Sequence, residues 1–215
     1  MGLPRWLRQA GAVSFVLCAV GFVVGLITLY AAEGPNAPDL WVYLASPSGR
    51  SDLSLSTFAL TAAIVLLFVG IAVLSMTLTA ASGATGRLAR YLAAIATAAF
   101  VGFLSLQYAL VAVVDEGIDP MSQQFKVLVL QQHAATDWAG WTGIVLLGLS
   151  LLLLGLALVR EGERRVTGWS AIGAGVMGLV LIPIGFGFLF TLVAAIWAIV
   201  AAIDLVRGGR ASVRT

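Results

Sequence analysis

The chain has 215 residues, 60% of them hydrophobic and only 10% charged, with 12 Lys/Arg against 10 Asp/Glu and a net charge of +2. Average soluble domains carry about 25% charged residues, and so few charges cannot cover the surface of a globule of this size. The composition excludes a soluble globular protein, a disordered chain and a nucleic-acid binder, and leaves a multi-pass membrane protein.

Arg5 and Arg8 precede the first apolar run, Gly11–Ala32. At 22 residues this run exceeds the about 7–15 residues of a signal-peptide core, so it is expected to be an uncleaved first span. Cys18, the single cysteine, lies inside it as a small apolar residue and excludes an intramolecular disulfide or a cysteine metal site. The segment Glu33–Leu53 carries Pro35, Pro38 and Pro47, a composition for an irregular outer loop. Span two is predicted at Ser54–Ala80 and span three at Ala89–Val114, joined through an inner loop over Ser82–Leu88.

Asp115–Thr136 reads differently. Asp119-Pro120 predicts an N-cap followed by proline at the first helical position. Met121, Phe125, Leu128, Val129 and Gln132 then recur at helical spacing. An amphipathic outer helix is expected there, leading into span four at Asp137–Val159. After the Arg160–Thr167 loop comes Gly168–Val206, which would be about 58 Å as one helix, nearly twice the hydrocarbon core. The run Pro183-Ile184-Gly185-Phe186-Gly187 removes a backbone donor and lowers helix propensity. The block is therefore divided into Gly168–Pro183 and Phe188–Val206. The expected architecture is a single all-α transmembrane domain, a six-span bundle.

Charge supports an even count. Six spans place Arg5, Arg8, Arg87, Arg90, Arg160, Arg164, Arg165, Arg207, Arg210 and Arg214 on one side, and only Arg50 and Lys126 on the other. With the acidic residues included, the sides carry +7 and −5. Basic residues mark the cytoplasmic side, so both termini are expected to be cytoplasmic. Trp41, Tyr43, Trp138 and Trp141 fall near the outer face and Trp6 and Trp169 near the inner one, the headgroup level that amphipathic rings prefer. Trp197 is mid-span, which predicts packing against a neighbouring helix. Small residues four apart, at Gly21/Gly25, Ala94/Ala98/Gly102, Ala171/Gly175 and Ala194/Ala198/Ala202, are expected to let helices approach closely in lipid.

Polar residues inside spans are where function is sought. Gln107 in span three is the one clearly intramembrane amide, with Tyr108 beside it. It reads as an interhelical hydrogen bond or as a ligand contact. His133 and Asp137 are one helical turn apart, close to Trp141. One histidine and no cysteine partner cannot supply the three or four ligands of a zinc site, so no metal and no cofactor is expected. Gln107, Tyr108, His133, Asp137 and Trp141 form the candidate ligand-binding set, suited to a lipid or apolar small molecule. Asp204 is expected to pair with Arg207 at the inner end of span six. No phosphate-cradling glycine loop, catalytic triad order or HExxH motif is present.

The segment Gln131-Gln132-His133-Ala134-Ala135-Thr136-Asp137-Trp138-Ala139-Gly140, followed by Gly148-Leu149-Ser150-Leu151-Leu152-Leu153-Leu154-Gly155 and Gly168-Trp169-Ser170-Ala171-Ile172-Gly173, resembles the bacterial multi-pass membrane family grouped as domain of unknown function 4386. The resemblance implies a short bacterial plasma-membrane protein and carries over no reaction and no catalytic residue. The expected role is a non-enzymatic accessory or sensory protein that binds a lipid or a partner, as a homo-oligomer or with another membrane protein. A small oligomeric transporter or channel is the alternative, and an intramembrane enzyme the second.

Overall fold

A computed structural model describes residues 3–33, 40–162, 164–181 and 189–211; the side chains of residues 30–33, 40, 80, 81, 133, 135–137 and 208–211 are not described. Seven helices account for nearly all of these residues: α1 Arg5–Glu33, α2 Leu40–Ala45, α3 Pro47–Ser75, α4 Ala80–Asp115, α5 Gln123–Glu161, α6 Arg165–Leu181 and α7 Leu189–Ala211. Five of them, α1, α3, α4, α5 and α7, are long and apolar enough to cross a membrane. The sixth, α6, is apolar and 17 residues long, about 26 Å at 1.5 Å per residue. The Pro183–Gly187 turn lies outside the described residues.

The six longer helices close into a ring. Each packs on the next, in the order α1, α3, α4, α5, α6, α7, and α7 returns to α1. Contacts fix alternating directions. Gly11 approaches Val73 while Gly25 approaches Leu60, so α1 and α3 run antiparallel. Phe15 meets Trp197 edge to face at 5.3 Å, and Gly11 lies against Leu205, so α7 runs back beside α1. The start of α1 and the end of α7 therefore share one end of the bundle. That end also holds the α3–α4 and α5–α6 turns.

The main core joins Phe15, Cys18 and Phe22 of α1, Leu67 and Ile71 of α3, Leu151 and Leu154 of α5, and Trp197 of α7. Small residues set how near the backbones come. At Gly70 a Cβ would stand 2.5 Å from the Phe15 ring, so only glycine leaves room for that ring against α3. Between α5 and α6, Gly148 opposes Gly175 and Gly155 opposes Gly168, and Cβ atoms at Gly155 and Gly175 would lie 2.6 and 2.5 Å from the facing carbonyl oxygens. Four glycines thus bring two backbones into direct contact, the device that lipid favours because packing there drives association. The stripes expected at Gly21/Gly25, Ala171/Gly175 and Ala194/Ala198/Ala202 face neighbouring helices. The α4 stripe does not: Ala98 is exposed and Gly102 has open space around it, while Ala89, Ala93 and Ala96 are buried instead.

Three local expectations change. The outer segment is not irregular where it is described: α2 occupies Leu40–Ala45, and α3 begins at Pro47. Ser46 caps α3, its hydroxyl accepting from Gly49 N at 3.0 Å with proline following at the first position. The Ser82–Leu88 loop is helical and belongs to α4, the chain turning over residues 76–79 instead. The outer helix between spans three and four is the first part of α5, continuous with the span that follows. Its cap is Ser122, whose hydroxyl accepts from Phe125 N, while Asp119 makes only a local turn through Met121 N. At 39 residues, α5 is about 58 Å long, well beyond a core of about 30 Å.

Candidate functional site

The end of the bundle opposite the termini carries a separate small core. Leu44 of α2 and Leu53 of α3 meet Leu110, Val111 and Val114 of α4 and Phe125 and Val129 of α5. The extra length of α5 therefore rests on the bundle. Arg50 ties this cap together: its Nε pairs with Asp115 at 2.9 Å and its Nη1 donates to the Leu44 carbonyl at 2.9 Å. Lys126 lies over the Trp41 ring at 5.6 Å. The two cations that charge analysis placed on this side are thus both engaged, one by a carboxylate and one by an aromatic face.

The predicted site residues lie just below this cap on α4 and α5. Gly140 faces Phe103, and Gln132 donates its side-chain amide to the Leu106 carbonyl. That register sets Gln107 and Tyr108 level with the stretch of α5 that carries His133 and Asp137. Gln107 is half-buried. Tyr108 is 51% and Trp141 44% exposed, both turned outward. The side chains of His133 and Asp137 lie outside the described residues, so the pair itself is placed only by its backbone. Gln132 makes an interhelical amide bond here, a residue that enters the sequence reading only through its helical spacing.

The opposite, arginine-rich end holds a polar network that sequence reasoning missed. Glu161, at the end of α5, accepts from the backbone N–H of Thr79 and the hydroxyl of Ser82. Thr79 is the N-cap of α4 and makes no side-chain cap of its own. A carboxylate from another helix therefore satisfies one backbone donor and one hydroxyl at that terminus, where negative charge is favoured. Gly162 then reverses the chain in the left-handed region, at φ 79°, which a side chain would strain. Next to it, Arg164 Nη1 donates to Thr77 Oγ1 at 2.7 Å, and Arg164 Nε pairs with Asp204 of α7 at 3.4 Å. Asp204 is thus held by Arg164 across the bundle rather than by Arg207 one turn along its own helix. Trp197 Nε1 donates to the Thr167 carbonyl at 3.3 Å, as expected of a mid-span tryptophan packed on a neighbour. The only sequence signal for the network was the charged run Arg160–Arg165, which charge counting treated as orientation alone.

A groove of about 450 Å³ opens between α6 and α7 beside this network. Arg164, Arg165, Asp204 and Arg207 line it with Val166, Val200 and Ile203. Among the described residues, no three His, Cys, Asp or Glu side chains gather in a metal-binding group.

Comparison of the chain with protein-family models, with curated proteins and with solved structures finds no match.

Proposed function

We propose that this chain is a six-span bacterial plasma-membrane protein of the family grouped as domain of unknown function 4386, with both termini cytoplasmic. In this reading α6 is the sixth span, and the arginine-rich end faces the cytoplasm because basic residues are retained there. Its role is that of a non-enzymatic accessory or sensory protein that binds a lipid or a partner membrane protein. The observation that carries the reading is the closed apolar interior. Among the described residues, the buried polar side chains are seven Ser and Thr. Ser14, Ser56 and Ser75 bond carbonyls of their own helices, and Ser150 bonds the Ala89 carbonyl of α4. A transport pathway needs polar or charged groups along the bundle axis, and Phe15, Phe22, Leu67 and Trp197 fill that space.

The surface between α4 and α5 near the cap is the proposed ligand site, with Gln107 and Tyr108 on one helix and His133, Asp137 and Trp141 on the other. Amphiphile pockets combine apolar walls with a few polar groups, and an amide beside exposed aromatic rings at membrane depth has that character. Thermal unfolding in detergent tests it. Added lipid should stabilise the wild type more than Gln107→Leu or Trp141→Ala. If both variants keep the wild-type midpoint and every lipid-induced shift, the site is lost. If Gln107→Leu lowers the midpoint and leaves the shifts intact, Gln107 is a packing residue. Liposomes carrying the protein should show no solute flux above empty ones; flux abolished by Gln107→Leu would favour the transporter reading.

A further inference from the structure

We propose that the groove between α6 and α7 binds the phosphate of an anionic phospholipid, with one acyl chain lying along the outer face of α7. Among the described residues, three arginines and one carboxylate line this groove, a net of +2. Arg164 is already committed to Thr77 and Asp204, which neutralises the carboxylate and fixes the floor. Arg165 and Arg207 are exposed and carry no carboxylate partner among the described residues. They stand on different helices, at the start of α6 and near the end of α7, so a phosphate between them is held from two sides. Guanidinium groups suit this because their planar donors match phosphate oxygens in pairs.

The apolar half of the groove selects a lipid over a soluble anion. Val166 and Ile203 are exposed beside the arginines, and Ile199 and Ile196 continue the exposed apolar line along α7. Trp169, 62% exposed on α6, marks headgroup depth on the same side. Basic pockets between membrane helices on the cytoplasmic side capture anionic headgroups for this reason. The inference uses the proposed orientation only to say which leaflet supplies the lipid; the chemistry of the groove is independent of it.

The test is a titration of the purified full-length chain in neutral detergent, read as thermal stabilisation. The probes are phosphatidylglycerol, phosphatidylcholine with the same chains, and inorganic phosphate. The variants are Arg165→Gln/Arg207→Gln in the groove and Arg5→Gln/Arg87→Gln, which removes the same charge from exposed sites at the same end. Phosphatidylglycerol should stabilise the wild type, and the groove pair should need roughly 30-fold more of it, from the usual contribution of each basic side chain at an anionic surface. The control pair should titrate within about twofold of wild type, as expected for screened surface charges. Phosphatidylcholine and inorganic phosphate should produce no shift. The proposal falls if the groove pair titrates like wild type, if both pairs weaken equally, or if phosphate alone reproduces the full shift. Reversed topology would leave this detergent result standing, and a failed titration would leave the topology standing.

Discussion

Replacing Gly155 with alanine should lower the thermal midpoint of the purified protein by about 3–10 °C, and replacing it with valine should prevent recovery of a monodisperse species. A Cβ there stands 2.6 Å from the Gly168 carbonyl oxygen and 2.8 Å from the Ile172 nitrogen. Both are backbone atoms, so the clash is relieved only by separating α5 from α6. Overpacking costs about 1–3 kcal/mol. With backbone on both sides it takes the upper end, about 2 kcal/mol after alanine returns about 1 kcal/mol to the helix, and about 2–4 °C accompanies each kcal/mol in a chain of this size. Gly173→Ala is the control. It lies on α6 with nothing within 4 Å of its would-be Cβ, and alanine favours the helix by about 1 kcal/mol over glycine. Its midpoint should stay level or rise. Equal losses at Gly155 and Gly173 would mean that helix flexibility, and not backbone approach, is what these glycines supply.

Arg164→Met should be the most damaging single change at the arginine-rich end, lowering the midpoint by a comparable about 3–10 °C. The side chains of Arg164 and Asp204 are only 16% and 23% exposed, and the same guanidinium also holds Thr77. Its removal loses one charge-assisted hydrogen bond and one ion pair and leaves a sheltered carboxylate without its cation. Hydrogen bonds to charged groups contribute about 1.5–3 kcal/mol, and the stranded partner adds its desolvation. Arg164→Lys should recover less than half of the loss, because one ammonium cannot span both partners as the guanidinium fork does. In a double-mutant cycle, Asp204→Asn combined with Arg164→Met should cost less than the two separate losses together. Additive losses would show that Arg164 and Asp204 do not act as a pair.

Much of the membrane architecture was legible because it follows from length and apolar content. The runs Gly11–Ala32, Ala89–Val114 and Asp137–Val159 each fall within a long apolar helix, whereas the run Ser54–Ala80 outlasts α3, which ends at Ser75. Side-chain packing was legible only in part. Gly21 and Gly25 stand out in a Val-rich helix and do mark a close approach, which the structure places against α3. In α4, alanines occupy every face of the stretch Leu92–Phe100, so four-residue spacing cannot choose which stripe is buried, and the buried set Ala89, Ala93 and Ala96 was missed. The α5–α6 contact was written at a different interval. Gly148/Gly155 and Gly168/Gly175 are each seven residues apart, two turns of a helix that keeps one face toward its partner. The polar network escaped for another reason. Glu161 and Arg164 act on Thr79, Ser82, Thr77 and Asp204, residues distant in sequence, and each looked like an ordinary charge in a short loop. At the opposite end, Arg50 and Lys126 entered only the charge count, whereas they fasten a cap whose apolar residues come from four helices.

The proposed even number of crossings underlies the proposed orientation, and with it the proposals that the ligand surface lies near the outer face and the arginine network faces the cytoplasm. Reporter fusions to the full chain test it most directly. A fluorescent protein at the C-terminus should fluoresce, alkaline phosphatase at the C-terminus should be inactive, and alkaline phosphatase inserted at Gly117, in the α4–α5 connection, should be active. An active C-terminal phosphatase with a dark fluorescent fusion would contradict the account, because α6 and α7 would then not both cross the membrane.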